Sequence, residues 1–275
     1  MGLKAKGVYI DATIGEGGHA LGILSRVSSC KIIGIDRDDE AIQSAQERLK
    51  GYDIHLFRDK FSNLKYIVQS LQINAVDGIM IDPGLSNIHL RTGMRGFSFM
   101  NNGPLDMRMD KRQTLSAWHV VNKYSEKDLA RILWEYGEEK KSRKIARAIA
   151  IARRTKAIQS SRELVQVIEK TIHKGGKINV ATRTFQAIRI EVNKELDELK
   201  KAIEDGVTIL CPQGRFCIIS YHSLEDRIVK HKFKAMEKDG IIKILTKKPI
   251  RSGQEEVEKN PSSRSAKLRV GEKLS

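Results

Sequence analysis

The fold is decided by residues 8–19, which read Val8-Tyr-Ile-Asp-Ala-Thr-Ile-Gly-Glu-Gly-Gly-His19. The apolar run Val8–Ile10 predicts a short strand, and Gly15, Gly17 and Gly18 predict a turn directly after it. Glycine suits such a turn because it accepts positive φ angles and lets a ligand approach the backbone closely. A helical pattern follows, so the stretch predicts a strand–turn–helix unit.

A second apolar strand, Ile32–Ile35, ends on Asp36. This acid lies about 20 residues beyond the glycines, the position that binds ribose hydroxyls in nucleotide-binding α/β proteins. The alternative is a loop that uses its glycines only to turn, but the spacing of Asp36 argues against it. The two strands therefore predict a site for a cofactor that contains a nucleoside.

Two acidic residues indicate which cofactor it is. Asp11 opens the glycine loop and Glu16 lies inside it. Both would repel a pyrophosphate seated at the start of the following helix. They suit a ligand that carries an ammonium and a sulfonium group, and S-adenosylmethionine is that ligand.

Composition and charge narrow the class of protein. The 275 residues contain 50 Lys and Arg against 34 Asp and Glu, a formal net charge of +16. This excess favours a polyanionic partner, most simply nucleic acid. Cys30, Cys211 and Cys217 fit no zinc pattern and predict reduced thiols of a cytoplasmic protein. The sequence predicts neither a membrane span nor a signal peptide.

The order of predicted elements divides the chain into three segments. Apolar runs at Ile54–Phe57 and Val76–Ile81 add two strands, and the alternation of strands and helices predicts a doubly wound parallel sheet. From Thr114 to about Glu204 the apolar residues recur at helical spacing, and four helices are too many for one crossover. We therefore predict an α/β fold, a Rossmann-like methyltransferase sheet with an inserted all-helical domain. The segments are the first part of the methyltransferase domain (1–105), the inserted domain (106–200) and the second part (201–275).

The second inserted helix carries a run of basic side chains. Such a run is usually a solvated face, but acidic partners beyond Glu138 and Glu139 are lacking here. Contact with phosphates is therefore the favoured interpretation. The basic residues are Lys140, Lys141, Arg143, Lys144, Arg147, Arg153 and Arg154.

Asp82 follows the fourth strand, at the edge where such sheets bind ligands. An exocyclic base amine is a poor nucleophile because its lone pair is delocalised into the ring. An acceptor at this position can hydrogen-bond the N–H groups, and Pro83 fixes the turn that carries it. Asp82 could also be an ordinary turn residue before proline. The methyltransferase-like first half favours a catalytic role.

His222 follows a resumed strand, Arg215–Ser220, and is expected to face the same crevice. Substrate contact or proton handling is favoured over a histidine satisfied by backbone. Ser223 is expected to cap the helix that begins at Leu224. For Phe61, stacking on adenine and packing in the core are equally good predictions.

Eight motifs occur in an order that identifies a family. They are Asp11–His19, Gly34–Asp38, Arg95–Phe99, Gly103–Asp110, Ala181–Gln186, His222–Arg227, Asn260-Pro261 and Ser263–Arg269. Together they closely resemble the RsmH (MraW) family of bacterial methyltransferases, which modify a cytosine N4 of small-subunit (16S) ribosomal RNA. The resemblance covers almost the whole chain.

The resemblance implies S-adenosylmethionine as donor, a Rossmann-like domain with a helical insertion, and a target cytosine in the ribosomal decoding centre. We expect Asp82 beside the target amine, with His222, Ser223 and Asp106 shaping the base pocket. Methyl transfer from a sulfonium needs no metal, and the sequence has no cluster of metal ligands. The expected cofactor contacts are Asp11, Gly15, Gly17, Gly18, His19, Asp36, Phe61, Asp82 and His89.

Departures from the family pattern leave alternatives open. His89 stands where the family has a glutamine, and a family segment before the first strand is absent. These two departures leave open a second hypothesis, that the protein is a catalytically weakened assembly factor for ribosomal RNA that binds S-adenosylmethionine. The Asp82-Pro83 turn suggests a DNA amino-methyltransferase, and a nucleotide-dependent dehydrogenase ranks last. The oligomeric state is left open, a homodimer included.

Overall fold

The computed structural model describes residues 1–84, 95–97, 102–172 and 180–275. The chain divides into two compact units. The sheet unit comprises Met1–Gly84 and Leu196–Ser275, and the helical unit comprises Leu85–Glu195. The helical unit is therefore an insertion between two parts of the sheet unit. No helix in the described part of the chain is long and apolar enough to cross a membrane.

In the part of the chain that the structure describes, eight strands form one sheet. Strands β1 to β5 are parallel in the order β3-β2-β1-β4-β5, and β8 pairs antiparallel with β5, β6 and β7. The order reverses direction beside β1, which puts the switch point between β1 and β4. The predicted fold class is confirmed. The strands are β1 (Val8–Asp11), β2 (Lys31–Asp36), β3 (Ile54–Arg58), β4 (Val76–Ile81), β5 (Leu210–Ser220), β6 (Ile242–Ile244), β7 (Ile250–Arg251) and β8 (Lys267–Lys273).

Alternate residues of β1 and β2 supply two cores, one on each face of the sheet. Ile10 and Ile33 belong to the larger cluster, and Tyr9 and Ile32 belong to the other. All four side chains are fully buried. This burial on both faces explains why the strands are continuous apolar runs. The helices of the sheet unit are α1 (Gly18–Leu24), α2 (Asp39–Arg48), α3 (Leu64–Ser70), α9 (Glu195–Ile209), α10 (Ser223–Lys238) and α11 (Gln254–Lys259), with Glu195 itself assigned to the helical unit.

The helical unit has a core of its own, built from the apolar stripes that the sequence predicts. Leu129, Ile132 and Leu133 are fully buried in it, and the Ser125 side chain caps their helix by accepting the Asp128 N–H at 3.0 Å. The sequence predicts this cap, because Ser125 precedes the helical repeat of apolar residues, and the prediction is confirmed. The helices are α4 (Ala117–Lys123), α5 (Glu126–Glu135), α6 (Ser142–Thr155), α7 (Ser161–Thr171) and α8 (Val180–Asn193).

The sequence also predicts a longer helix, marked by the apolar residues from Phe185 to Ile203, and a polar loop at Arg251–Arg264. Both predictions are wrong. The apolar pattern that predicts one long helix through Phe185–Ile203 is divided between α8 and α9, because Lys194 has a φ of +53° that ends the first helix. The expected loop at residues 251–264 instead contains α11 and a 3₁₀ turn, Pro261–Ser265. No residue of α11 is buried, so no apolar stripe marks it in the sequence.

Candidate active site

The glycine turn lies at the carboxyl end of β1 and has the predicted backbone. Gly15 and Gly17 adopt left-handed φ angles of +51° and +80°. A Cβ on Gly17 would approach Leu49 Cδ1 to 2.9 Å, so packing as well as φ selects glycine there. A Cβ on Gly18 would meet no described heavy atom within 4 Å. Leu49 therefore packs against the turn at Gly17, whereas the space beside Gly18 is open. A ligand could contact the backbone closely at Gly18.

Asp36 connects the end of β2 to this turn. Its Oδ2 accepts the N–H of Gly15 at 3.1 Å, and its Oδ1 accepts the N–H of Asp38 at 2.9 Å. The residue predicted to bind the ribose thus also holds the turn that approaches the nucleoside. A carboxylate oxygen can accept more than one hydrogen bond, so both roles are compatible.

Asp11, His19 and Asp82 form a charged cluster beside the turn. Nε2 of His19 lies 2.9 Å from Oδ2 of Asp82, and this hydrogen bond raises the pKa of His19. The N–H of Asp82 donates to Oγ1 of Thr13 at 2.7 Å, which ties the end of β4 to the loop after β1. The predicted cofactor contacts His19 and Asp82 are therefore in direct contact across the switch point.

Asp11 is a member of the cluster whose charged form burial disfavours. It is fully buried, and burial raises its pKa to about 6, with the charges of Asp82 and Asp36 acting in the same direction. Its Oδ1 accepts the Thr13 N–H at 3.4 Å, whereas Oδ2 accepts no hydrogen bond from the described residues. His19 and the Thr13 N–H lower the pKa of Asp11 and so offset part of the effect of burial, and a cationic ligand would stabilise the ionised carboxylate further. The donor set and the open turn fit an adenosyl cofactor with a positive centre.

Tyr221 is a site residue that the sequence reasoning missed. Burial raises the pKa of its phenol, and the charge of Asp82 raises it further. The ring lies beside Gly84, where a Cβ would contact it at 3.5 Å. Its position directly after β5 and before His222 is the signal that could have identified it.

His222, not Ser223, caps α10, so the predicted cap is wrong. Nδ1 of His222 accepts the Glu225 N–H at 3.4 Å, and Oε2 of Glu225 accepts the N–H groups of Tyr221 and His222 at 2.8 and 3.3 Å. This is a capping box in which an imidazole replaces the usual hydroxyl, and Ser223 is the first helical residue. Because Nδ1 accepts, the proton of the neutral ring is on Nε2, which lies 3.1 Å from Glu225 Oε1.

The basic strand β8 also meets an acid at this edge. Arg269 Nε donates to Asp226 at 2.7 Å, and Lys267 Nζ donates to the other oxygen at 3.3 Å. These pairs lower the pKa of Asp226 against the effect of its burial. Any phosphate bound by Lys267 or Arg269 therefore competes with Asp226.

Three further predicted residues are Phe61, Asp106 and His89. Phe61 packs in the main core at 7% exposure, with the Arg37 guanidinium 5.8 Å from its ring centroid, so core packing is what the structure displays. Asp106 belongs to the helical unit, where Arg108 forms two hydrogen bonds to its carboxylate at 2.6 and 3.0 Å. His89 lies outside the described residues.

The family motifs of the helical unit pack against one another. A Cβ on Gly96 would lie 1.9 Å from the carbonyl oxygen of Pro104, so Gly96 must be glycine for the two runs to meet. The buried Asn193 side chain accepts the N–H of Met109 at 2.9 Å and donates to the carbonyl of Met107 at 2.8 Å. These bonds hold residues 103–110 to the end of α8.

A largely parallel sheet with a glycine turn after β1, an acid at the end of β2 and a cluster of carboxylates beside the turn defines the class: a methyltransferase fold that binds a nucleoside cofactor. The model of the MraW methylase family matches residues 1–274, and the chain belongs to this family. It is an enzyme, and its methyl donor is S-adenosylmethionine.

Close relatives are similar over nearly their full length. The chain is 49% identical over 295 residues to ribosomal RNA small subunit methyltransferase H of Clostridium botulinum (strain Kyoto / Type A2), covering 100% of this chain and 95% of the relative. It is 46% identical to the proteins of the same name from Sulfurihydrogenibium sp. (strain YO3AOP1) and Persephonella marina (strain DSM 14350 / EX-H1). These alignments cover 97% and 98% of this chain and 92% and 94% of the relatives.

Proposed function

We propose that the chain methylates the exocyclic N4 of a cytosine in small-subunit (16S) ribosomal RNA, at the decoding centre and in the cytoplasm. The names of the relatives and their near-complete coverage support the ribosomal RNA substrate. The excess of basic residues suits a polyanionic substrate. The observation that carries the proposal is Asp82 at the end of β4: its carboxylate is hydrogen-bonded to His19, and its backbone N–H donates to Oγ1 of Thr13.

The residues of the sheet unit divide the binding of the cofactor between them. Gly15, Gly17 and Gly18 give the nucleoside close access to the backbone, and Asp36 offers its carboxylate to the ribose hydroxyls. Asp11 and Asp82 place negative charge where a positive ligand is required. When bound, S-adenosylmethionine supplies an electrophilic methyl group on a sulfonium.

Asp82 acts on the target amine. Its carboxylate accepts an N–H hydrogen bond, which favours a tetrahedral nitrogen with an available lone pair. His19 holds one oxygen of Asp82 and so fixes the direction of the other. Orientation of this kind supplies a large part of the rate of a two-substrate reaction.

The cytosine has to leave its stack to reach this edge of the sheet. Extruding a base costs a few kcal/mol, which contacts elsewhere on the RNA offset. His222 and Ser223 stand at the end of β5 and remain our predicted walls of the base pocket, together with Asp106 of the helical unit. A homodimer also remains a prediction.

The test is methyl transfer from labelled S-adenosylmethionine to small ribosomal subunits that lack N4-methylcytidine, followed by nucleoside analysis. We expect label in N4-methylcytidine with the wild type and none with Asp82→Ala. Asp53→Ala is the matched control, because Asp53 is an exposed acid before β3, outside the site.

The alternatives give different results in the same assay. Label in another nucleoside would overturn the cytosine assignment, and equal methylation of duplex DNA would favour a DNA amino-methyltransferase. Tight subunit binding without turnover would identify a weakened assembly factor.

A further inference from the structure

The helical unit carries an open groove of about 930 Å³ between α5 and the beginning of α6. Six basic side chains line it, against one acid, Glu126. The basic residues are Lys127, Arg131, Lys140, Lys141, Arg143 and Lys144. The groove lies entirely within one unit, and the predicted roles of the active-site residues do not use it.

The positive charge of this groove is mostly uncompensated. Arg131 pairs with Glu135 at 3.0 Å, whereas the five lysine and arginine side chains besides it form no ion pair with any residue that the structure describes. The first turn of α6 contains no acid that could pair with them. Close like charges repel one another, so an anionic occupant would relieve this repulsion.

Trp134 gives the groove an apolar surface. It is 59% exposed, although tryptophan is usually well buried. Lys127, Ala130, Arg131 and Trp134 follow the spacing i, i+3, i+4, i+7 and so share one face of α5. An exposed indole among cations is the arrangement with which proteins bind unpaired bases, by stacking on the ring and holding the phosphates beside it.

We propose that this groove binds a single-stranded segment of the RNA substrate, with one unpaired base stacked on Trp134 and its phosphates held by the surrounding lysine and arginine side chains. This inference rests on the proposed function, because the bound segment belongs to the same ribosomal RNA substrate. Ribosomal proteins are mostly basic and would be repelled by the groove. An acidic peptide would satisfy the charge but would leave the indole without a flat partner.

The test measures binding of a single-stranded oligoribonucleotide by tryptophan fluorescence and filter retention. Trp134→Ala should weaken binding about tenfold and remove the quenching, whereas Trp134→Phe should retain most of the affinity, because phenylalanine still stacks. Lys140→Glu with Lys144→Glu should weaken binding and lower the salt slope by about 1.4 in log–log units. The control is Lys230→Glu with Lys234→Glu, two exposed lysines of α10 that change the net charge equally.

Groove variants that bind and methylate subunits like the control would overturn the inference. Equal retention of polyglutamate would overturn the assignment to RNA. The proposed function can fail independently of this inference. If the wild type binds the oligonucleotide through Trp134 but does not methylate N4, the RNA-binding groove would be supported and the proposed reaction would be wrong. Affinity for S-adenosylmethionine, measured by calorimetry, should be the same in every variant.

Discussion

The two units differ in where their functional charges lie and in how these charges are paired. In the sheet unit, Asp11 is fully buried and Asp82 is paired with His19 at 2.9 Å. In the helical unit, five of the six basic side chains that line the groove beside Trp134 form no ion pair with a described residue. Buried charge is oriented and poorly screened, whereas exposed charge is mobile and sensitive to salt. The first arrangement suits chemistry at a fixed point, and the second suits a long, flexible polyanion.

The largest effect should come from removing the partly buried charge of Asp82. Asp82→Asn keeps the shape and one acceptor oxygen but loses the charge that orients His19 and that we propose polarises the target N–H. We expect kcat for methylation of small subunits to fall about 10²- to 10³-fold. KM for subunits should change much less, because the groove is intact. Asp53→Asn should behave like the wild type, and a similar loss in both variants would contradict a specific role for Asp82.

Much of the sheet unit follows from its sequence. The apolar strands are buried on both faces, so their runs are unbroken, and the glycines at 15 and 17 have φ angles that other residues rarely adopt. The position of Asp36 follows from the same pattern. The contact between His19 and Asp82 does not, because it depends on how the ends of β1 and β4 approach one another across 63 residues of sequence.

Other features leave no local signal. Lys194 ends α8 with a left-handed backbone while the apolar pattern continues across it. The basic run Lys267–Arg269 predicts phosphate contact in the sequence, but the pairing of Arg269 with Asp226 depends on the antiparallel position of β8 and leaves the Arg269 side chain only 9% exposed. In the groove, by contrast, the basic run is visible in the sequence, but its position beside Trp134 requires the packing of α5 on α6.

Salt concentration should affect RNA binding by the helical unit more than cofactor binding by the sheet unit. Raising monovalent salt from about 50 to about 200 mM should raise KM for small subunits about tenfold or more, because each RNA phosphate released from a basic side chain contributes about −0.7 to the log–log slope. KM for S-adenosylmethionine should stay within about twofold, since Asp11 is fully buried and the Asp82 side chain is only 18% exposed, so salt screens their charges less than those of the groove. Steady-state kinetics at several salt concentrations make the comparison. Equal salt dependence of both constants would contradict the division between the units.

A smaller effect is expected from pH, through Asp11. Folding raises the pKa of Asp11 from 3.8 to about 6, because burial favours the protonated carboxyl. The contribution of Asp11 to the stability of the folded state is therefore present at low pH and is lost as the pH rises through about 6. A cationic cofactor favours the ionised form. Affinity for S-adenosylmethionine should therefore rise about tenfold between about pH 5 and pH 7.

Calorimetry at several pH values would measure this rise. Asp11→Asn should bind weakly and with a flatter pH profile. The pKa of His19 is also raised, chiefly by its hydrogen bond to Asp82. When His19 loses its positive charge as the pH rises, affinity for the cationic cofactor should rise as well. His19→Gln separates the two, because the rise near pH 6 should survive in it. An unchanged profile in Asp11→Asn would assign the titration to another group.

The smallest effect concerns the cap of α10, where a candidate catalytic residue has a structural role. His222→Ala removes the Nδ1 acceptor of the capping box, so the free energy of unfolding should fall by about 1 kcal/mol. Ser223→Ala should change it by a few tenths of a kcal/mol, because Ser223 lies inside the helix and does not cap it. Chemical denaturation of both variants measures the difference. A larger loss in Ser223→Ala would contradict the imidazole cap, whereas a loss of methylation in His222→Ala far beyond the loss of stability would give His222 a role at the base as well.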